Sequence, residues 1–225
     1  VFQKNGEEDT KLAQTGIRSA IVPGLVAGLT EASKLYGKLP LPVLLNPAFY
    51  LAKNGFRISP TYIKFAREER ERLEPFSESY RIFYQGPLFG SETEKFKQLD
   101  LANTLDNLAL SGPEVFYSGI VGLQISDYSK ANGGLLSLED LKNYKVAHRT
   151  PVAGTYKGYE IYSAPPPSSG GILLIQMLNV LEGYDLSKFS HNGAEHLHLL
   201  TEIMRWAFLS RAQSMRDPAF VNVPT

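Results

Sequence analysis

The chain has 225 residues, of which 43% are apolar, and its 23 Lys and Arg residues balance 23 Asp and Glu residues. This length and apolar content suffice for a hydrophobic core, and the zero net charge argues against a nucleic-acid partner or an anionic membrane surface. No cysteine is present, which excludes disulfides, thiolate catalysis and zinc–thiolate sites.

The longest apolar stretch does not predict a membrane span. It runs from Leu39 to Ala52 and is broken by Pro40, Pro42 and Pro47, and a transmembrane helix needs about 20 apolar residues without such breaks. The chain opens with polar residues instead of a signal peptide and lacks an initiator Met. We therefore expect a piece of a longer protein.

The first third of the chain predicts a loop followed by three helices. Residues 1–16 are polar and punctuated by glycine, which is typical of a loop, here taken as variable. Helices are predicted from Pro23 to Gly37 and from Leu41 to Asn54, the second closed by Gly55. A third helix starts at the cap Ser59-Pro60 and continues through the charged run Arg67–Arg72, which is interpreted as a solvated helix face.

The middle of the chain alternates between irregular and helical patterns. From Phe76 to Lys97 there is no helical period, and glycines and a proline predict turns with a short hairpin. Helices are then predicted for Gln98–Ser111 and for Glu114–Ala131, the latter kinked or restarted near Gly119. Ser137–Asp140 resembles a capping box and predicts a short helix to about Tyr144.

A hairpin is the clearest strand signal in the chain. Val152–Tyr156 and Tyr159–Tyr162 alternate apolar and polar residues around the turn Lys157-Gly158. A last long helix is predicted to run from the turn at Ser190–Gly193 to about Arg211. The fold class predicted from these elements is α+β and mainly helical. No linker divides the chain, so residues 1–225 are taken as a single partial domain.

A constrained corner separates the hairpin from the next helix. It consists of Pro165, Pro166, Pro167, Ser168, Ser169, Gly170 and Gly171. The prolines make the chain stiff and extended, the serines offer N-cap oxygens, and the glycines permit close backbone approach. The apolar run Ile172–Leu181 then predicts a buried helix that ends at Gly183.

The corner either presents backbone N–H groups to an anion or an oxyanion, or forms a tight turn that lets the helix pack on the hairpin. The second is the commoner use of such a turn.

No self-contained catalytic or metal site emerges from the residues. His196 and His198 lie about 200° apart around a helix axis and cannot share one ion, whereas His198 and Glu202 lie four residues apart without a third ligand. His191 is near them in sequence. No Gly-x-Ser-x-Gly elbow, Gly-x-Gly-x-x-Gly loop or Walker loop occurs. Neither a metal nor a cofactor is predicted.

Ten segments in order resemble the gamma-glutamyltranspeptidase (gamma-glutamyltransferase) family, from about residue 17 to the end. The longest is Tyr156–Ile172, which contains the corner. The others are Val22–Leu29, Tyr36–Pro40, Asn46–Phe49, Leu51–Phe56, Leu101–Leu105, Gly112–Gly119, Asn132–Leu135, Glu139–Leu141 and Asp217–Phe220. A single motif of this kind would be weak evidence, but the ordered set is specific.

The resemblance implies an N-terminal-nucleophile hydrolase fold, an α-β-β-α sandwich. Members of the family are precursors that cut themselves into a large and a small subunit. The threonine freed at the start of the small subunit attacks a gamma-glutamyl amide, with its own α-amino group as base. Glutathione and related amides are the usual donors, and water or an amine accepts the gamma-glutamyl group. The implied partners are the small subunit of the same precursor and a gamma-glutamyl substrate.

The chain departs from the complete enzyme of that family in two ways. The family nucleophile is followed by Thr or Ser and then His, and no threonine here has that context; Thr225 follows Val223-Pro224. The family arginine that binds the donor α-carboxylate lies in an Arg-Glu-x-Ala-Pro type motif, which Arg18 does not match. No catalytic or substrate-binding residue is therefore carried over. The corner Pro165–Gly171 is taken as a structural family signature.

The chain thus resembles the interior of the large subunit, predicted to be inactive by itself. One alternative is a non-enzymatic scaffold or binding module that retains the large-subunit body. Another is an acylase of the same fold. The resemblance suggests a periplasmic or extracellular protein, although the chain carries no targeting segment that bears on this.

Overall fold

The structure is a computed structural model that describes residues 2–4, 6–84 and 95–223. The chain divides into two compact units, Val1–Val146 and Ala147–Thr225. Among the described residues, none of the helices combines the length and the apolar character that a bilayer crossing requires. That residues 1–225 form a single partial domain stays a prediction.

The first unit is helical apart from a short strand pair at its start. Strands β1 (Gln3–Lys4) and β2 (Glu7–Glu8) pair antiparallel. The helices are α1 (Thr10–Gln14), α2 (Leu25–Tyr36), α3 (Leu41–Asn54), α4 (Pro60–Glu68), α5 (Arg70–Leu73), α6 (Ser77–Tyr84), α7 (Leu99–Ser111), α8 (Glu114–Tyr117), α9 (Ile120–Ala131) and α10 (Leu138–Lys142).

Local signals set most of these helix ends. Gly55 and Gly112 follow α3 and α7 with φ values of 75° and 73°, a conformation that glycine adopts without a Cβ penalty. The Ser59 hydroxyl accepts the backbone N–H of Tyr62 and so caps α4. Ser137 and Asp140 form the predicted capping box at α10. The predicted restart near Gly119 is also confirmed, because α8 ends at Tyr117 and α9 begins at Ile120.

Two predictions for the first unit were wrong in part. Residues 1–16, expected to be a loop, contain β1, β2 and α1, because the Asp9 carboxylate accepts the Leu12 N–H and caps α1. Residues 76–97, expected to be turns with a hairpin, contain α6. The stacked rings of Tyr80 and Tyr84, four residues apart, lie on one face of α6. The predicted turn residues 85–94 lie outside the described residues.

Helices α3 and α7 form the centre of the first unit. Buried Ala52 of α3 accepts the backbone N–H of Gln98, just before α7, and the buried side chains of Ala102 and Leu108 belong to α7. Phe96 is also buried and pairs with Phe56 in an isolated antiparallel bridge. This bridge joins the segment that follows α3 to the segment that precedes α7.

The phenol of Tyr117 anchors the start of α2. Its hydroxyl donates to the Pro23 carbonyl over 2.6 Å and accepts the Ala27 N–H over 3.0 Å. The Tyr144 ring stacks on it, with 5.8 Å between the ring centroids. A Cβ at Gly24 would overlap the Tyr144 hydroxyl. Burial raises the pKa of Tyr117, an effect that the bond from Ala27 opposes.

The second unit is a hairpin packed against one helix, which packs in turn against a second helix. Strands β3 (Val152–Tyr156) and β4 (Tyr159–Ser163) pair antiparallel, and Gly154 lies opposite Ile161. The helices are α11 (Gly170–Glu182) and α12 (Ala194–Ser214). The predicted hairpin and both predicted helices are present. Gly183 ends α11, but with φ of −73°, so the left-handed cap that a C′ glycine provides is absent.

We predict that Tyr117→Phe lowers the free energy of unfolding of the protein by about 1–2 kcal/mol, because the Pro23 carbonyl and the Ala27 N–H lose their shared partner. Urea denaturation measures this change. The matched control is Tyr36→Phe, since Tyr36 is 83% exposed, and its effect should stay within about 0.5 kcal/mol.

The same pair of variants tests the raised pKa of Tyr117. A raised folded-state pKa contributes stability that is present below the unfolded value of about 10 and lost as pH rises through the folded value. Stability should therefore fall more steeply above pH 10 in the parent than in Tyr117→Phe. Equal slopes for the parent and this variant would contradict the assignment.

Candidate functional site

The corner Pro165–Gly171 turns the chain from β4 into α11. The Ser168 N–H donates to the Pro165 carbonyl over 3.1 Å, which closes a turn around two prolines. The Pro166–Pro167 peptide is cis, and Pro166 is buried. Ser168 is exposed. The corner is thus compact and hydrogen-bonded within itself.

Two glycines permit the close contact between the corner, the hairpin and α11. A Cβ at Gly171 would overlap the Ala164 carbonyl oxygen and the Ser163 side chain, and one at Gly154 would lie 2.6 Å from the Ile175 Cγ2 atom. Ile172 and Leu173 of α11 are buried here. The backbone of α11 therefore approaches the chain just after β4 at Gly171, and the Ile175 side chain of α11 packs against β3 where Gly154 lacks a Cβ.

Ser169 occupies the N-cap position of α11, but its hydroxyl does not cap the helix. Its backbone is helical, with φ −82° and ψ −17°, whereas side-chain capping requires an extended N-cap residue. The hydroxyl instead accepts the Nε–H of Arg211 on α12 over 2.9 Å. The prediction that this serine provides the cap was wrong, since an arginine 42 residues away provides its partner.

The far end of α11 is held to the hairpin by a second contact. The Glu182 carboxylate accepts the backbone N–H of Lys157 over 2.6 Å. Lys157 and Gly158 form the hairpin turn with φ values of 48° and 83°. Helix α11 therefore contacts the hairpin segment at both of its ends, as expected if the corner is a tight turn that packs the helix on the hairpin. That the corner is structural, and not a ligand site, stays a prediction.

The histidines predicted to lie near the start of the last helix do not assemble into a site. The Nδ1 atom of His196 accepts the Asn192 N–H over 3.2 Å, and Glu202 pairs with Arg205 over 2.6 Å, not with His198. The His191 and His196 ring centroids are 6.1 Å apart. Among the described residues, no group of three or more His, Asp or Glu side chains is placed to hold a metal ion.

A groove between α11 and α12 is the feature that sequence reasoning missed. It encloses about 640 Å³, and its rim carries Trp206, which is 71% exposed. Val180 and Tyr184 of the facing segment are also exposed. A partial signal was present in the sequence, because the apolar residues of α12 extend well beyond one narrow stripe, a pattern typical of a helix with more than one buried face.

The sequence of the chain is similar to those of known proteins. The sequence profile described as Gamma-glutamyltranspeptidase matches residues 1–225. The chain is 36% identical over 225 residues to the glutathione hydrolase proenzyme of Escherichia coli strain K12, covering 97% of this chain and 38% of that protein. It is 39% identical over 209 residues to the acylase ACY 1 proenzyme of Pseudomonas sp. strain V22, covering 93% and 38%. The chain thus spans less than two fifths of either relative.

The chain is also similar in structure to solved proteins. The chain superimposes on the gamma-glutamyltranspeptidase of Helicobacter pylori with a TM-score of 0.94 at 41% identity, covering 99% of this chain and 64% of that one. The predicted fold class is confirmed: the chain is a mainly helical α+β fragment of the N-terminal-nucleophile hydrolase fold.

We predict that Gly171→Ala lowers the free energy of unfolding by about 1–3 kcal/mol, because the added methyl group collides with the Ala164 carbonyl. The matched control is the neighbouring Gly170→Ala, whose Cβ would find no atom closer than 3.8 Å and which should be neutral or slightly stabilising. Thermal unfolding of both variants measures the difference. Equal effects of the two substitutions would contradict the close approach.

Proposed function

Because the chain belongs to the gamma-glutamyltranspeptidase family, we propose that it forms the large-subunit part of a gamma-glutamyltransferase. The whole protein transfers or hydrolyses the gamma-glutamyl group of glutathione and related amides. The observation that carries this proposal is the match of the family profile to every residue from 1 to 225, supported by the superposition with a TM-score of 0.94.

The proposed chemistry uses a threonine outside these residues. Its hydroxyl attacks the amide carbon of the donor while the α-amino group of the same threonine takes the proton, and the amine leaves with that proton. The resulting ester is resolved by water or by an acceptor amine. Backbone or side-chain donors stabilise the oxyanion. Residues 1–225 supply the helical body, and none of them is assigned a catalytic role.

The proposed partner is the small subunit of the same precursor. Large apolar side chains lie exposed in each unit, among them Leu25 at 72%, Leu110 at 79% and Trp206 at 71%. Clusters of such side chains mark surfaces that another polypeptide covers. The proenzyme names of the relatives also fit a processed chain. We propose that the remainder of the precursor buries these faces.

A second candidate is an acylase acting on a different acyl group. The observation that favours it is the 39% identity to the acylase ACY 1 proenzyme, which is as high as the identity to the glutathione hydrolase proenzyme. The two donor classes differ at the α-carbon, since a glutaryl group lacks the amino group of a gamma-glutamyl group. Side-by-side turnover of a glutaryl and a gamma-glutamyl anilide by the full-length protein separates them.

We predict that the full-length protein releases the amine from a gamma-glutamyl anilide and that residues 1–225 alone do not. Colorimetric release of the aniline measures this. The control is the full-length precursor with its processing threonine replaced by alanine, which should remain uncut and inactive because both nucleophile and base are disabled. Activity of residues 1–225 alone would refute the proposal.

We also predict that residues 1–225 by themselves self-associate in solution, because their apolar faces lack the rest of the precursor. Light scattering reports the mass, and a dye that fluoresces on apolar surfaces reports the exposure. The full-length processed protein serves as the comparison. A monomeric mass together with no dye binding would contradict this prediction, because the apolar faces would then not be accessible.

A further inference from the structure

The sequence contains four Asn-Gly dipeptides, at residues 5–6, 54–55, 132–133 and 192–193. An asparagine before a glycine is chemically labile, because the glycine nitrogen can attack the asparagine side-chain carbon and close a cyclic imide within one chain. Glycine has no Cβ to obstruct this approach. Asn5 lies outside the described residues. The structure surrounds the other three dipeptides with different contacts.

The dipeptide Asn132-Gly133 follows α9, which ends in a Schellman motif. The Gly134 N–H donates to the Ser129 carbonyl over 2.7 Å. The Gly133 N–H donates to the Lys130 carbonyl over 3.4 Å, which exceeds the ~2.7–3.2 Å typical of such a bond. The nitrogen that would attack the Asn132 side chain is therefore weakly held.

Both residues of this dipeptide are open to solvent. Gly133 is exposed, its φ is 71°, and a Cβ at this position would meet no atom within 4 Å. Asn132 is also exposed, and its Nδ2 atom donates to the Tyr128 carbonyl over 2.8 Å. Because Asn132 and Tyr128 both lie at the surface, water replaces this bond at little cost. The side-chain amide can therefore rotate toward the Gly133 nitrogen.

The dipeptide Asn54-Gly55 is shielded by its surroundings. Asn54 is the last residue of α3, and the Gly55 N–H donates to the Leu51 carbonyl over 2.9 Å. Gly55 is buried, and a Cβ there would lie 2.8 Å from the Phe96 carbonyl oxygen. Attack by the Gly55 nitrogen therefore requires the end of α3 to open first.

The dipeptide Asn192-Gly193 is intermediate between these two. Asn192 is exposed and Gly193 is half-buried. The Gly193 N–H donates to the Ser190 carbonyl over 2.8 Å, so the attacking nitrogen is held by a shorter bond than that of Gly133. These contacts rank Asn132 as the most reactive of the three described dipeptides and Asn54 as the least.

We propose that Asn132 is a site of spontaneous deamidation. The Gly133 nitrogen bonds to the Cγ atom of Asn132, the Cγ–Nδ2 bond breaks, and ammonia leaves with the proton of the Gly133 N–H. Water then opens the cyclic imide at either of its carbonyls, which gives aspartate or isoaspartate. The reaction requires only water and no activity of the protein, so it stands apart from the proposed function.

The modification weakens the end of α9. The Asn132 amide donates to the Tyr128 carbonyl, whereas a carboxylate cannot donate and places a negative charge at the negative end of the helix dipole. Isoaspartate also lengthens the backbone between Ser129 and Gly134 by one carbon, which disturbs their hydrogen bond. A Cβ at Gly134 would lie 2.6 Å from the Cγ1 atom of Ile17, so a shift of Gly134 disturbs this contact as well.

Incubation of the full-length processed protein in water enriched in a heavy oxygen isotope, at mildly alkaline pH, tests the site. Peptide-mapping mass spectrometry follows each dipeptide. Asn132 should be converted at least about tenfold faster than Asn54, because Asn54 reacts only when α3 opens. The products should be labelled aspartate and isoaspartate, and conversion should accelerate with pH, because the Gly133 nitrogen must lose its proton.

Three outcomes of this incubation would overturn the proposal. The first is conversion of Asn54 at the rate of Asn132 or faster. The second is faster conversion of Asn192 than of Asn132, because the hydrogen bond of the attacking nitrogen would then not control the reaction. The third is aspartate without isoaspartate at residue 132, because a cyclic imide opens to both products.

A matched pair of variants tests the effect on α9. Asn132→Gln keeps the amide but needs a larger ring to react, so it should stay unmodified during the incubation. Asn132→Asp carries the charge of the product. Hydrogen exchange of the Gly134 amide should be roughly three- to tenfold faster in Asn132→Asp than in Asn132→Gln, because the helix end loses a donor and gains an unfavourable charge.

Equal exchange of the Gly134 amide in the two variants would contradict the effect on α9. Circular dichroism shows whether each variant folds. An unfolded Asn132→Asp protein beside a folded Asn132→Gln protein would support the effect, and the incubation of the unmodified protein decides the site in either case.

Discussion

The close approach of α11 to the hairpin is the constraint on which the second unit depends. At Gly171 the backbone of α11 lies so close to the Ala164 carbonyl that a Cβ would overlap it, and at Gly154 a Cβ would collide with the Ile175 side chain of α11. The contact buries Ile172 and Leu173, and it brings Glu182 to the hairpin turn. The three prolines before α11 reduce the freedom of the unfolded corner and so lower the entropic cost of holding this geometry.

In the first unit, a tyrosine side chain makes the close contact with the start of a helix. Tyr117 satisfies a carbonyl and an amide at the start of α2, where a helix leaves its first N–H groups without partners. Gly24 leaves room for the neighbouring Tyr144. In both units, a glycine next to a helix N-terminus lets another part of the chain contact that end.

The exposed apolar side chains bear on how this chain would work within a longer protein. Large apolar side chains such as Leu110 and Trp206 lie exposed. Exposed apolar faces mark surfaces that another polypeptide can cover. Under the proposed function, the remainder of the precursor covers these faces and supplies the reacting threonine.

The sequence by itself determined the elements whose signals are local. The ends of α3 and α7, the start of α4, the capping box at Ser137 and the hairpin turn were predicted because each depends on residues within one turn of chain. The ordered family segments determined the fold class for the same reason, since they are read along the chain.

Only the tertiary structure decided the contacts between distant residues. Helix α6 was missed because it is only eight residues long and the glycines and proline that follow it in sequence favoured turns. The partner of Ser169 was missed because Arg211 lies 42 residues away. The groove at Trp206 likewise depends on packing, because its walls come from both α11 and α12.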